Sequence, residues 1–218
     1  LASAGRAYVN RYGVLPGSKV VVVTNNDSAY ATALDLHAAG AAIEAVVDLR
    51  PDPQGTLPTE ARAAGLPVLA GSAVVGTDGR SRVNRIHVGR LESDRRLDGR
   101  LPRAIRCDTL LVSGGWNPTV HLYSQSRGKV RYDADLAAFV PGPAVQNQTS
   151  VGACSGDLTL AGALNSGAEA GRRAAVDAGF AAPSIDVPST QEPALEPLRA
   201  VWRVPGVGSP SRQKAFVD

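Results

Sequence analysis

The succession of apolar runs in this chain predicts an α/β protein: a parallel sheet with a small antiparallel meander attached to it. Three observations carry that expectation. Val20 to Val23 form an uninterrupted valine run, the pattern of a short strand covered on both faces. Two further apolar runs, from Ile43 and from Leu66, follow at intervals filled by helically spaced residues, and Gly40 and Gly65 close those intervals. Thr77-Asp-Gly-Arg80 then joins two more short runs, and Asp-Gly between such runs marks a hairpin.

The elements follow in order. Leu1, Ala4, Tyr8 and Val9 stand at helical spacing, and Leu15-Pro-Gly17 ends that pattern. Lys19 to Val23 is the first strand. Asp27-Ser28 suits the start of a helix, where their side chains would satisfy free amides, and Ala29, Ala33, Leu34, Leu36 and Ala38 continue it. Ile43 to Leu49 is the second strand, Thr59 to Ala64 a short helix and Leu66 to Ala70 the third strand. This β-α-β-α-β order implies parallel strands with right-handed crossovers. Gly71 to Gly76 and Val83 to Leu91 are the meander strands. Arg82, Asn84, His87 and Arg90 alternate with Val83, Ile86, Val88 and Leu91, which leaves one face wet. Ala104 to Ser113 reads as one more strand, running into Ser113-Gly-Gly115.

Past Pro118 the spacing predicts a helix over 120–126 and a strand over 130–133, with a break at Pro141-Gly-Pro143. Gln146 to Cys154 reads as a strand that delivers Gly156-Asp157. Leu158 to Ala178 then reads as a long helix of small residues suited to close packing. Prolines recur from Pro183 to Pro210, the composition of an extended linker. The chain thus divides into a Rossmann-like unit over 15–105, a second and incomplete dinucleotide-binding lobe from 1–14 and 106–182, and a proline-rich linker over 183–218. Over 106–182 that incomplete lobe is expected to bare apolar surface and to favour self-association or local disorder.

Composition excludes several classes of function. The net charge of +3 is small and the arginines are scattered, which argues against nucleic acid as a partner. No apolar run is long enough to span a bilayer, so no membrane association is expected. Cys107 and Cys154 form no C-x-x-C pair and read as buried structural thiols of a reducing compartment, hence a cytoplasmic location. His37, His87 and His121 stand at no metal-ligand spacing, so no metal site is expected. No nucleophile elbow or acid–base constellation is present, and catalytic residues are expected to be none. Trp116 and Trp202 read as packing anchors.

Two turns are candidates for a dinucleotide. The first, Thr24-Asn-Asn-Asp-Ser-Ala29, follows the first strand, where a Rossmann unit carries G-x-G-x-x-G so that backbone amides approach a pyrophosphate. Here every expected glycine carries a side chain, and Asp27 adds a negative charge. Asp48 stands where an acid would hold a ribose, yet the turn opposes phosphate by bulk and by charge. The second candidate is the pair Gly114-Gly115 and Gly156-Asp157, with the amides of Leu158 and Thr159 opening the following helix. The glycine turn gives room for backbone approach. Asp157 can accept a hydrogen bond from a cofactor hydroxyl, and helix-start amides suit phosphate oxygen.

Several stretches together resemble one family. Arg6-Ala-Tyr-Val-Asn-Arg-Tyr-Gly13, Val23-Thr-Asn-Asn-Asp-Ser-Ala-Tyr30, Val112-Ser-Gly-Gly-Trp-Asn-Pro-Thr-Val-His-Leu122 and Ser124-Gln-Ser-Arg-Gly-Lys129 are similar to the α subunit of heterotetrameric sarcosine oxidase. Arg212-Gln-Lys-Ala-Phe-Val-Asp218 resembles the lead-in to its folate-binding region. The resemblance implies an oxidoreductase acting on CH–NH donors, which demethylates sarcosine to glycine with tetrahydrofolate as one-carbon acceptor. It implies the other sarcosine oxidase subunits as partners, NAD in the intact α subunit, and FAD, FMN and tetrahydrofolate elsewhere in the complex. The chain would be a middle part of the subunit, inactive alone, with Gly114, Gly115, Gly156, Asp157, Leu158 and Thr159 as its cofactor-binding residues. Two alternatives stay open: a ligand-free Rossmann-like interaction module, and an independent NAD(P)H-dependent reductase domain.

Overall fold

The computed structural model describes residues 1–93, 96–192, 196–204 and 214–215. The chain forms two compact units, Leu1–Gly115 with Ala194–Asp218, and Trp116–Pro193.

In the first unit the parallel sheet has the order β3-β2-β1-β8, built from β1 (Lys19–Thr24), β2 (Ala42–Asp48), β3 (Val68–Ala70) and β8 (Thr109–Ser113). The valine run behaves as its pattern requires. Val20 and Val22 join a core with Ala29, Tyr30, Ala33 and Leu36 of α2 (Ser28–Ala38), Ala2 of α1 (Ala2–Tyr12) and Ala61 of α3 (Thr56–Ala63). Val21 and Val23 face a second core with Ala73, Ile86, Val88 and Ile105 of the meander. All four valines are 0–2% exposed, which puts them at the well-buried end of the roughly 1.5–3 kcal/mol that one such side chain contributes. The meander comprises β4 (Ser72–Asp78), β5 (Arg85–Ser93), β6 (Arg96–Leu97) and β7 (Arg103–Arg106). Both β4 and β7 pair antiparallel to β5.

Three expectations are corrected here. The strand read over 104–113 is two strands in two sheets, β7 and β8, and Cys107-Asp108 carries the chain between them. The Asp108 carboxylate accepts from the Ser18 amide (3.0 Å), the Ser18 hydroxyl (2.6 Å) and the Lys19 amide (3.1 Å), pinning the start of β8 to the start of β1. Residues 1–14 and 106–115 also belong with the first unit, not with a second lobe. Gly5 lets α1 lie against β8, since a Cβ there would stand 2.6 Å from Leu111 Cδ1. Arg6 and Asn10 of α1 both donate to Asp35 of α2 at 2.6 Å. The expected linker, finally, is docked over part of its length. Val201 and Val204 are 2% and 5% exposed and sit in the meander-side core, and β11 (Arg203–Val204) pairs with β12 (Lys214–Ala215). The remainder of that segment is without regular structure where described, over 183–192 and 196–202. The resemblance read at 212–218 lies, apart from Lys214 and Ala215, outside the described residues.

The second unit holds α4 (His121–Gln125), the hairpin β9 (Val130–Asp133) with β10 (Ala138–Pro141), a 3₁₀ turn over Gly152–Ser155, and α5 (Leu160–Asp177). Tyr123 is its buried pin, with its hydroxyl 3.1 Å from the Lys129 carbonyl and 2.9 Å from that of Pro143. No strand forms over 146–154. Gly152 takes φ +67°, a left-handed turn incompatible with extended pairing, and the 3₁₀ turn follows. The close packing expected of α5 is also absent: none of its residues is buried. Leu160 and Val176 are about half exposed, as are Tyr132 and Phe139 of the hairpin.

Candidate functional site

Parallel α/β sheets bind ligands at the C-terminal ends of their strands. In the first unit those ends carry Asn25, Asn26 and Asp27 after β1, Asp48 and Arg50 after β2, and Gly114-Gly115 after β8. This crevice is lined by charge that is already paired. Arg50 lies 2.7 Å from Asp27 Oδ1 and 2.8 Å from Asp48 Oδ2, with side-chain exposures of 7%, 0% and 0%. Asp48 takes two further bonds, from the Tyr30 hydroxyl and the Arg50 amide, both 2.8 Å. The acid placed to hold a ribose is therefore committed to protein donors. Burial, reinforced by Asp48, pushes the Tyr30 phenol far up. Burial opposes the Arg50 charge, but the Asp48 and Asp27 carboxylates outweigh it and raise the guanidinium.

The turn departs from its expected role in one respect. Asp27 does not cap α2 with its side chain. Asn26 Oδ1 takes the Ser28 amide at 3.1 Å and its hydroxyl at 2.5 Å, while the Thr24 hydroxyl closes the turn by donating to the Asn26 carbonyl at 2.8 Å. Asp27 is thereby released toward Arg50 and toward the Glu196 amide, which donates to Oδ2 at 2.8 Å.

Of the six residues read as cofactor-binding, Gly114 and Gly115 lie in the first unit and Gly156, Asp157, Leu158 and Thr159 in the second. The Gly114 carbonyl accepts from Asn25 Nδ2 at 3.1 Å. Gly115, at φ +120°, faces Leu198, whose Cδ2 would be 3.3 Å from an added Cβ. Gly156 sits at φ +99° in the left-handed conformation that closes the 3₁₀ turn. A Cβ there would meet Leu136 Cδ1 at 2.6 Å. Thr159 is the N-cap of α5, its hydroxyl accepting from the Gly162 amide at 3.1 Å. Asp157 lies against Gly162, where any Cβ would collide with its carboxylate. The start of α5 already holds an anion: the amides of Leu160 and Ala161 donate to the Glu192 carboxylate at 2.8 and 3.1 Å. Those bonds hold the Glu192 carboxyl below the usual carboxylate range. Sequence reasoning did not single out Glu192, Glu196 or Arg50. Their only signal was charge in stretches read as linker or strand end.

Cys107 is buried and Cys154 half-buried, and both are free. Trp116 and Trp202 are about half exposed, not buried anchors. Among the described residues no group of three or more His, Cys, Asp or Glu is placed to hold a metal ion, and no helix is long and apolar enough to cross a membrane.

No protein-family model matches the chain. Among solved structures, L-proline dehydrogenase from P. horikoshii overlaps 82% of this chain and 30% of its own, at a TM-score of 0.49 and 16% identity. A thioredoxin reductase from Gloeobacter violaceus overlaps 88% and 56%, at a TM-score of 0.43 and 16% identity. Curated sequences are far closer. The sarcosine oxidase subunit alpha of Corynebacterium sp. strain P-1 is 42% identical over 209 residues, 95% of this chain and 21% of the relative. That of Rhizobium meliloti strain 1021 is 31% identical over 222 residues, 100% of this chain and 20% of the relative. The chain spans about a fifth of the length of these relatives. Along nearly its whole length, it is a homologue of one section of the sarcosine oxidase α subunits.

Proposed function

We propose that this chain is a non-catalytic, structural and NAD-contacting section of a sarcosine oxidase α subunit, within an oxidoreductase that acts on CH–NH donors. The observation that carries the reading is the 42% identity over 209 residues to a subunit of that name. The whole enzyme would demethylate sarcosine to glycine and pass the carbon to tetrahydrofolate. FAD, FMN and tetrahydrofolate would be held elsewhere in the complex, the other subunits would be its partners, and the location would be cytoplasmic.

In this reading NAD binds in the intact subunit through Gly114, Gly115, Gly156, Asp157, Leu158 and Thr159. The start of α5 supports an anion site, because its Leu160 and Ala161 amides already hold a carboxylate. A phosphate oxygen of NAD would take the place of Glu192, and Asp157 would accept from a cofactor hydroxyl. The test is Asp157→Ala in the whole subunit, with NAD released from the purified protein and quantified. Loss of most bound NAD is expected, and unchanged NAD content refutes the assignment. The chain alone should neither turn over sarcosine nor oxidise NADH above a boiled control.

For the first unit a second reading has its own support. The buried Asp27–Arg50–Asp48 cluster favours a Rossmann-like module without a dinucleotide, and speaks against an independent NAD(P)H-dependent reductase domain.

A further inference from the structure

The crevice of the first unit has an occupant of its own. Asn25 and Arg199 bond in both directions, the Arg199 amide to the Asn25 carbonyl (3.0 Å) and Asn25 Nδ2 to the Arg199 carbonyl (2.9 Å). The same Nδ2 reaches the Gly114 carbonyl, so one amide ties β1, β8 and the later segment together. The Glu196 amide donates to Asp27 at 2.8 Å. The Glu196 carboxylate accepts from the Gln54 amide at 3.1 Å and meets Arg50 at 3.4 Å. Arg199 donates to the Leu49 carbonyl at 3.2 Å. Leu198 covers Gly115, and a Cβ at Gly55 would crowd both Asp27 Oδ2 (2.5 Å) and Glu196 Cγ (3.4 Å). Val201 and Val204 then enter the meander-side core.

Every one of these contacts, up to Val201, falls on the loops that follow β1, β2 and β8, the position from which a Rossmann unit grips its dinucleotide. The lining chemistry suits a peptide and not a phosphate. Asp27 and Asp48 bring two buried carboxylates against the single Arg50 guanidinium, a net negative lining. The strand-end backbone groups of Asn25, Leu49 and Gln54 are met by a peptide amide, a guanidinium and a carboxylate in turn.

We infer that Glu196–Val204 is the resident ligand of this crevice, a peptide of the same chain that has replaced a dinucleotide as the group holding the three strand-end loops together. The crevice is a peptide-binding site of fixed occupancy, not a gated cofactor site. It leaves the NAD reading of Gly156–Thr159 in the second unit untouched and stands against a dinucleotide contact at Gly114 and Gly115, since Leu198 covers Gly115.

The test uses the 218-residue chain carrying Glu196→Ala, Leu198→Ala and Arg199→Ala, followed by hydrogen-exchange mass spectrometry. The amides of Gln54 and Arg199 should exchange about ten- to a hundred-fold faster than in the parent, through loss of the charge-assisted bond to Glu196 and of the backbone bond to Asn25. The β1 amides should stay protected. A synthetic peptide spanning 196–204 should restore protection at Gln54, whereas NAD, NADP or FAD should not. Unchanged exchange at Gln54 overturns the inference, and so does restoration by a dinucleotide. If the triple variant fails to fold, Leu198→Ala alone is read in the same way, with the same two overturning results.

Discussion

Replacing Arg50 by alanine is expected to be the most damaging single change in the first unit. The guanidinium is 7% exposed and stands 2.7 and 2.8 Å from two carboxylates that are fully buried. Its removal leaves the buried carboxylates of Asp27 and Asp48 without the cation that both of them pair with. Breaking a buried pair by deleting one partner costs about 3–5 kcal/mol, a large share of the roughly 5–15 kcal/mol that stabilises a domain. Arg50→Lys should lose less, because the charge survives while the planar fork that serves both carboxylates does not. Urea denaturation of the chain, followed through exchange protection of the β1 and β2 amides so that the first unit is read by itself, measures both. A loss below about 1 kcal/mol for Arg50→Ala, the scale of an exposed ion pair, would refute the argument that the cluster is a buried and mutually dependent one.

Three further outcomes are expected. Asp108 is held low, at about 2, because the Ser18 and Lys19 bonds outweigh burial. Its contribution is complete above the unfolded value near 3.9 and disappears as pH falls toward 2. Asp108→Asn should therefore cost about 1 kcal/mol at pH 7, after discounting for solvent screening, and little at pH 2. An equal loss at both pH values in urea melts would contradict this. Thr159→Ala should cost about 1 kcal/mol in the first turn of α5, read as faster exchange of the Gly162 amide; no change there would show that the cap bond is idle. Burial, helped by Asp108 and Glu44, raises the Cys107 thiol. A maleimide at pH 7 should thus label Cys154 well before Cys107, and equal labelling by mass spectrometry would contradict the placement.

Much of the first unit was legible because its physics is local. The valine run, helical spacings and Asp-Gly turn each dictate an element within a few residues of themselves. What escaped was decided at long range. Ala104 to Ser113 carries apolar residues on both sides of Asp108, a poor strand residue, and the bonds from Ser18 and Lys19 to its carboxylate show why the run divides there. Asp27 is a good cap residue beside a helix start, yet Arg50, far along the chain, competes for it and wins. The prolines of the last segment masked Val201 and Val204, whose burial makes part of that segment core. Gly152 and Gly156 could have warned against a strand over 146–154, since both take left-handed conformations. The steric and electrostatic objection to a dinucleotide at Thr24–Ala29 was readable from residue types. The occupant of that crevice was not, because nothing in the spacing of Glu196 and Arg199 points back to Asn25.

The first unit is read as a Rossmann sheet whose crevice is closed to dinucleotides. Calorimetric titration of the purified chain with NAD, NADP and FAD tests it most directly. No saturable heat is expected up to millimolar ligand, with the exchange protection of Gln54 and Arg199 unaltered. Micromolar binding of any of the three, accompanied by release of the Arg199 amide from Asn25, would contradict it.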